Sequence, residues 1–207
     1  MTIADPTAGT TRPPGRPRSE KAEKAIIQAT LDLIGEGVGI REITIEAVAA
    51  RAGVGKTTIY RRWPGREELI VDALTTLKAP IPPLAGESVR ADLITCLDAM
   101  REEASDSGKR CMMNLAMADW ARSPRLYERY YKVAIKPRRE AMRRILRRGL
   151  ETGEIRADTD VELAMAALSG TMLMYTKWAD PGETLPLDLA ERVVDLVMRG
   201  LSPGNAG

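Results

Sequence analysis

Residues 55–62 read Gly55, Lys56, Thr57, Thr58, Ile59, Tyr60, Arg61, Arg62: three cations and three hydroxyls with no carboxylate among them. Side chains of this kind donate hydrogen bonds and carry positive charge, so a row of phosphates is their natural partner. Two chemistries would use them. Residues 50–57, ARAGVGKT, differ from the phosphate-cradling loop GxxxxGK[ST] only at Ala50. In such a loop Lys56 and Thr57 would serve a nucleotide-binding enzyme. That loop needs a buried strand in front of it. Here Ile45, Val48, Ala49 and Ala52 recur at i, i+3, i+4 and i+7, a helical period, with Glu46 and Arg51 on other faces and no β-branched run. The nucleotide site is the weaker reading.

The stronger one is a helix-turn-helix. Thr44 is placed to cap the first helix, Gly53 suits the left-handed residue that ends it, and Gly53-Val54-Gly55 lets a second helix begin near Lys56. A helix of this type enters the major groove N-terminus first, which sets residues 55–58 nearest base edges and phosphates. A solvated turn between two packed helices is the plain alternative.

Composition narrows the classes. The 207 residues are 44% hydrophobic, enough to bury a sizeable core. The formal net charge is only +2, yet residues 1–66 hold 11 Lys and Arg against 7 Asp and Glu, so the basic excess is local. The chain has no histidine, which removes His-based metal sites, the usual general base and any Ser-His triad. No cofactor or metal site is expected, and no enzyme activity. Cys96 and Cys111 lack metal-ligand spacing and no signal peptide precedes them, so reduced, buried thiols in a cytoplasmic protein are expected.

The elements that must position the motif follow from pattern. Residues 1–18, rich in Pro, Gly and Thr, read as a disordered basic arm whose Arg16 and Arg18 are placed to reach a minor groove. Ser19 can cap a helix to about residue 36 with Ala22, Ile26, Ala29 and Leu33 inward. After the Pro64-Gly65 turn, a helix from Arg66 carries Leu69, Ala73 and Leu77 on one face, and its N-terminus favours phosphate. Three prolines in residues 79–86 end the first domain, 19–78, and a second domain spans 86–202.

With Thr44, Ile45, Val48, Ala52-Gly53-Val54, Thr58-Ile59-Tyr60, Trp63 and Glu67-Glu68-Leu69 in register, the first third of the chain resembles the DNA-binding domain of the TetR family of bacterial transcriptional regulators. Two positions depart from the family pattern. Gly55 stands where serine is usual, and Trp63 where phenylalanine is common. The resemblance implies phosphate contacts from Thr44, Lys56, Thr58, Tyr60 and Arg66, with Gly55, Thr57 and Arg61 nearest the bases. Arg62 adds charge beside them. It also implies an all-α protein: a three-helix DNA-binding head and a helical ligand-binding and dimerisation bundle, working as a ligand-released homodimeric repressor on an inverted-repeat operator in double-stranded DNA. A constitutive DNA-binding module without ligand is the lesser alternative.

The rest of the chain is helical by pattern. Val89, Leu93, Leu97, Met100 and Ala104 line one face of residues 87–105. Residues 111–120, apolar nearly all round, predict a helix buried inside the bundle. Residues 124–152 predict one long helix kinked near Pro137, with Tyr127, Tyr131, Ile135, Met142, Ile145 and Leu146 inward and a run of Lys and Arg on a solvated face. Helices at 161–178 and 187–201 are expected to form the homodimer interface, the second through Ala190, Val193, Val194, Val197 and Leu201. Flexible thioethers suit an adaptable pocket, so Met100, Met112, Leu115, Met117, Trp120, Met142, Met172, Tyr175 and Trp178 are the expected lining for a small, mainly apolar effector. Asp98, Glu102 and Asp119 would favour a cationic ligand if they faced inward.

Overall fold

The computed structural model describes residues 16–180 and 183–201. Four helices build the head: α1 Arg16–Gly35, α2 Ile45–Ala52, α3 Lys56–Tyr60 and α4 Arg66–Thr75. Thr44 caps α2 as expected, its Oγ1 accepting from the Ala47 N–H at 3.1 Å, and Gly53 closes it at φ 65°, where a side chain would be strained. The helix α1 begins three residues before Ser19, so Ser19 is not its cap, and Arg16 and Arg18 belong to its first turn. The remainder of the expected arm, residues 1–15, lies outside the described residues.

Six further helices complete the fold: α5 Val89–Ser105, α6 Ser107–Ala118, α7 Pro124–Tyr130, α8 Lys136–Thr152, α9 Val161–Trp178 and α10 Leu189–Leu201. The chain is all-α, with the head followed by a helical C-terminal domain. Ser88 caps α5, Asp106 caps α6 and Asp160 caps α9, each accepting a hydrogen bond from a first-turn N–H.

Between α7 and α8 the chain makes a π turn, Tyr131–Ile135. The expected single helix is therefore broken, and its inner face changes upstream of the break. Leu126, Tyr130 and Ala134 are buried, while Tyr127 is 42% exposed. A π turn accommodates one extra residue, which shifts the phase of everything before it by one position. Downstream, Met142, Ile145 and Leu146 are buried as expected.

Two apolar clusters hold the molecule together. One is the core of the head, built on Ile26, Ile34, Val48, Ile59, Trp63, Leu69 and Leu74, and it also takes in Ala116 of α6 with Leu126, Tyr130 and Ala134. The other joins α5, α8, α9 and α10 through Leu93, Leu97, Leu146, Leu168 and Val194. Three expectations are corrected by this packing. Instead of running through the bundle interior, α6 lies on its surface against α1 and α5; Ala116 is its only fully buried residue, and Cys111 is exposed. Cys96 is half-buried, and burial pushes its thiol up to about 11. In α10, Ala190, Val193 and Val194 are spent on α5 and α9 of the same chain.

The basic run on α7 and α8 is largely ion-paired: Arg129 with Glu67 and Glu68, Arg138 with Glu103, Arg139 and Arg143 with Glu162, and Arg148 with Asp92. The last of these is structural. Asp92 is 1% exposed, and its carboxylate accepts from Arg148 Nη2 at 2.7 Å and from the Gly86 N–H at 3.2 Å, tying α5 to α8 and to the loop after the head. Since Arg148 can turn to water when its partner is lost, Asp92→Ala should destabilise the fold by about 1 to 3 kcal/mol in urea unfolding, and Asp92→Asn by less because the Gly86 bond survives. An unchanged midpoint for Asp92→Ala would contradict this.

Candidate nucleic-acid interface and ligand cavity

The helix α3 has only five residues and is held by one anchor, Ile59, which is fully buried in the core of the head. Everything else on α3 faces outward: Lys56, Thr57, Tyr60 and Arg61 are exposed, Thr58 is half-buried, and Tyr60 presents 53% of its surface. Gly55 is the N-cap at φ −75°, and a Cβ there would meet only Thr57 Oγ1 at 3.7 Å, so the missing serine hydroxyl is not forced by space. Trp63 fills the core site expected of it, its Nε1–H donating to Asp72 Oδ2 at 2.7 Å. The Thr44 hydroxyl, exposed at the start of α2, accepts a backbone N–H and keeps its own O–H available to donate.

Two of the expected phosphate ligands already have protein partners. Lys56 Nζ lies 3.0 Å from Glu46 Oε1, and this bond holds the Glu46 carboxyl below its ordinary range. Arg62 pairs with Glu23 of α1. Arg66 is built in differently: its Nη1 donates to the carbonyls of Arg41 at 2.5 Å, Ile43 at 3.2 Å and Ile40 at 3.5 Å, so it fastens the α1–α2 loop to the start of α4.

A second feature lies behind the head. Leu77, Lys78, Met100, Glu103, Met113, Met117, Met172 and Thr176 are among the side chains that surround a cavity of about 80 Å³ between the end of α4, α5, α6 and α9. Of the expected lining, Met100, Met117 and Met172 are there. The others are elsewhere. Met112 packs on Gly35 of α1; Trp120 stacks near Tyr127 and Tyr130 at 5.3 and 5.1 Å between ring centroids; Met142 is part of the α5–α8 core. Leu115, Tyr175 and Trp178 are exposed, Trp178 by 74%. Nor do the expected acids face the cavity: Asp98 pairs with Arg101, Glu102 points to solvent, and Asp119 accepts the Ile40 N–H at 2.9 Å. Apolar periodicity could not find Lys78, Glu103, Lys109, Arg110 or Lys177, the charged side chains that do line it.

Residues 26–73 match the profile of bacterial regulatory proteins of the tetR family, and residues 83–197 match that of the tetracyclin repressor-like C-terminal domain. The chain belongs to the TetR family of transcriptional regulators. It is similar to the uncharacterized HTH-type transcriptional regulator YdeS of Bacillus subtilis, 31% identical over 159 residues that cover 75% of this chain and 78% of YdeS. It is also similar to the HTH-type transcriptional repressor KstR2 of Rhodococcus jostii, at 26% identity over 81% of this chain and 85% of KstR2. Among solved structures, the transcriptional regulator FadR from Bacillus subtilis in complex with stearoyl-CoA has the same fold, with a TM-score of 0.63 and 20% identity over 86% of this chain and 98% of that one.

Membership in the TetR family makes the protein a DNA-binding regulator and not an enzyme. The nucleotide-loop alternative fails on geometry as well, because the element that feeds Gly53 is the helix α2 where a phosphate loop requires a strand. Among the described residues, no helix is long and apolar enough to cross a membrane.

Lys56 and Arg66 should respond differently to replacement. Exchanging the exposed Glu46 for phosphate leaves Lys56 a counterion-releasing contact, so Lys56→Ala should weaken DNA binding and lessen the log-log salt slope by roughly 0.9 per half-site. Because Arg66 is bonded to three carbonyls, Arg66→Ala should lower stability by about 1 to 3 kcal/mol and weaken binding with little change in slope. Filter binding across a salt series checks both, and equal slope changes would show that Arg66 neutralises phosphate as Lys56 does.

Proposed function

We propose that this regulator is a homodimeric repressor that binds an inverted-repeat operator in the cytoplasm and leaves it when a small effector occupies the cavity behind the head. The observation that carries the reading is the position of α6. Its residues Lys109, Arg110, Met113, Asn114 and Met117 form one wall of the cavity, while Met112 on the same helix packs against Gly35 and Asp119 just after it holds the Ile40 N–H. A ligand that displaces this wall works directly on α1 and on the loop before α2. In this reading Thr44, Lys56, Thr58 and Tyr60 take backbone phosphates, and Gly55, Thr57 and Arg61 approach the bases. The repressor named KstR2 among the relatives, and a FadR that holds an acyl thioester on the same fold, are in keeping with a ligand-released switch.

Ligand release is a coupling of typically 1 to 3 kcal/mol, and linkage requires operator DNA to weaken effector binding by the same factor. A constitutive DNA binder is the second reading. The cavity favours it to this extent, that about 80 Å³ is well short of the roughly 300 to 1,000 Å³ of ordinary ligand sites, so an effector must open it.

Dimerisation falls to the outer face of α9. Leu163, Met174 and Trp178 are exposed there at 68%, 49% and 74%, along one stripe that also holds Ala167 and Gly170. Such a face in a two-fold pair would set two α3 helices one helical turn of DNA apart, about 34 to 36 Å, or a multiple of it. Val194 is a poor site for testing this because it is wholly buried within its own chain, and Leu173 borders the cavity. Met174→Glu should instead give a folded monomer by sedimentation and circular dichroism that no longer shifts an inverted repeat. A monomeric unaltered protein, or a dimeric Met174→Glu, would contradict the assignment.

A further inference from the structure

The charged lining of the cavity is one-sided. Four cations, Lys78, Lys109, Arg110 and Lys177, face it with a single carboxylate, Glu103. That carboxylate is already saturated: it accepts from Lys78 Nζ at 2.8 Å, from the Ala79 N–H at 2.8 Å and from Arg138 Nη2 at 2.9 Å, and its side chain is 9% exposed. It cannot act as counter-charge to a cationic ligand without abandoning three donors. Arg110 is neutralised by no carboxylate among the described residues; its guanidinium leans on two backbone carbonyls, Ala104 at 3.0 Å and Asp180 at 3.2 Å. Lys177 stands 6.0 Å over the Trp178 ring, and Lys109 has only the loose pairing with Asp106 at 3.6 Å.

Behind the methionine wall the polar groups are again donors. The Tyr130 hydroxyl, on a fully buried residue, has as its acceptor only the Met113 thioether at 3.6 Å, and a thioether is a weak acceptor. Next to it the Trp120 Nε1–H is buried with no acceptor. Met113 is both the lid on these donors and part of the cavity lining, and a methionine side chain can swing aside at little cost. An entering molecule thus meets an apolar bed of Met100, Met113, Met117 and Met172, a rim of cations, and buried donors that want oxygen acceptors.

We propose that the effector of this cavity is an amphiphilic anion, an unbranched apolar body lying on the methionines with an acidic head held by Arg110, Lys177 and Lys78. The inference rests on the ligand-responsive reading of the same cavity and fixes the chemical class of its ligand. It reverses the sequence-based preference for a cationic or mainly apolar effector. The head is a carboxylate or a phosphate-bearing carrier attached through an acyl bond, and both present acceptor oxygens and negative charge to the rim.

The test is calorimetric titration of the full-length protein with four probes that share one tail: octanoate, octanol, octylamine and octanoyl-coenzyme A. Octanoate or its thioester should bind at least tenfold more tightly than octanol, with octylamine weakest; the tighter of the two anions identifies which head the rim fits. In the double variant Arg110→Gln, Lys177→Gln the affinity for the preferred anion should fall at least tenfold while octanol binding is unchanged. Octanol or octylamine matching the anions, no binding by any of the four at millimolar concentration, or a double variant that keeps its anion affinity would each overturn the proposal. Repeating the titration with operator DNA present separates it from the switch: anion-selective binding that DNA does not weaken would sink the switch and leave the ligand class standing, whereas operator release by octanol alone would do the reverse.

Discussion

One apolar core shared by the DNA-reading head and the helices behind it is the constraint on which the rest of the structure depends. Residues 16–78 are about sixty in number, a size at which a domain buries only ~60% of its unfolded surface and is marginal on its own. Here the head borrows. Ala116 of α6 and Leu126 and Tyr130 of α7 complete the cluster around Ile34, Val48, Ile59 and Leu74, and the polar contacts reinforce it: Asp119 on the Ile40 N–H at 2.9 Å, and Arg129 on Glu68 at 2.5 Å. A head built this way cannot change its angle without disturbing α6 and α7. The cavity takes one of its walls from α6, so the same packing that makes the head stable also exposes it to whatever fills the cavity.

The charges divide into two populations with different work. Lys56 with Glu46 is an exposed surface pair, and such pairs contribute on the order of 0 to 1 kcal/mol. It can be traded for a phosphate almost without cost, and it keeps α3 from presenting bare charge when no DNA is bound. Asp92 with Arg148, and Glu103 with Lys78, Arg138 and the Ala79 N–H, are the other kind: buried carboxylates whose donors come from different helices. The Glu103 group sits where α4 gives way to the loop at residues 79–88, between the head and the cavity. Arg66 belongs with these, a cation used as a clamp on three carbonyls.

How much of this the sequence discloses depends on whether the information is local. The Thr44 cap, the left-handed Gly53, the anchor Ile59 and the whole of α9 were legible because capping, glycine geometry and a 3.6-residue period act within a few residues of each other. The inner face of α7 was misread by one position, Tyr127 for Leu126 and Tyr131 for Tyr130, because the phase was carried back from α8 through a π turn that nothing in the period announces. The apolar character of residues 111–120 was visible, but period alone cannot say what an apolar face packs against, and α6 proved to be a surface helix seated on α1. The cavity was the least legible part. Its charged rim comes from three helix ends and its buried carboxylate is satisfied by residues 25 and 35 positions away, relations that exist only once the chain has folded.

Whether the head and the cavity wall are one cooperative unit can be measured through Trp63, which is 4% exposed in the shared core and bonded to Asp72. In a variant with Trp120→Phe and Trp178→Phe, Trp63 becomes the only indole, and its fluorescence during urea unfolding reports the head while far-ultraviolet circular dichroism reports all the helices. A shared core requires the two transitions to coincide in midpoint and slope at the same protein concentration. A Trp63 transition completed at lower urea, with most helical signal still intact, would mean that the head unfolds by itself and that the cavity has no mechanical hold on it.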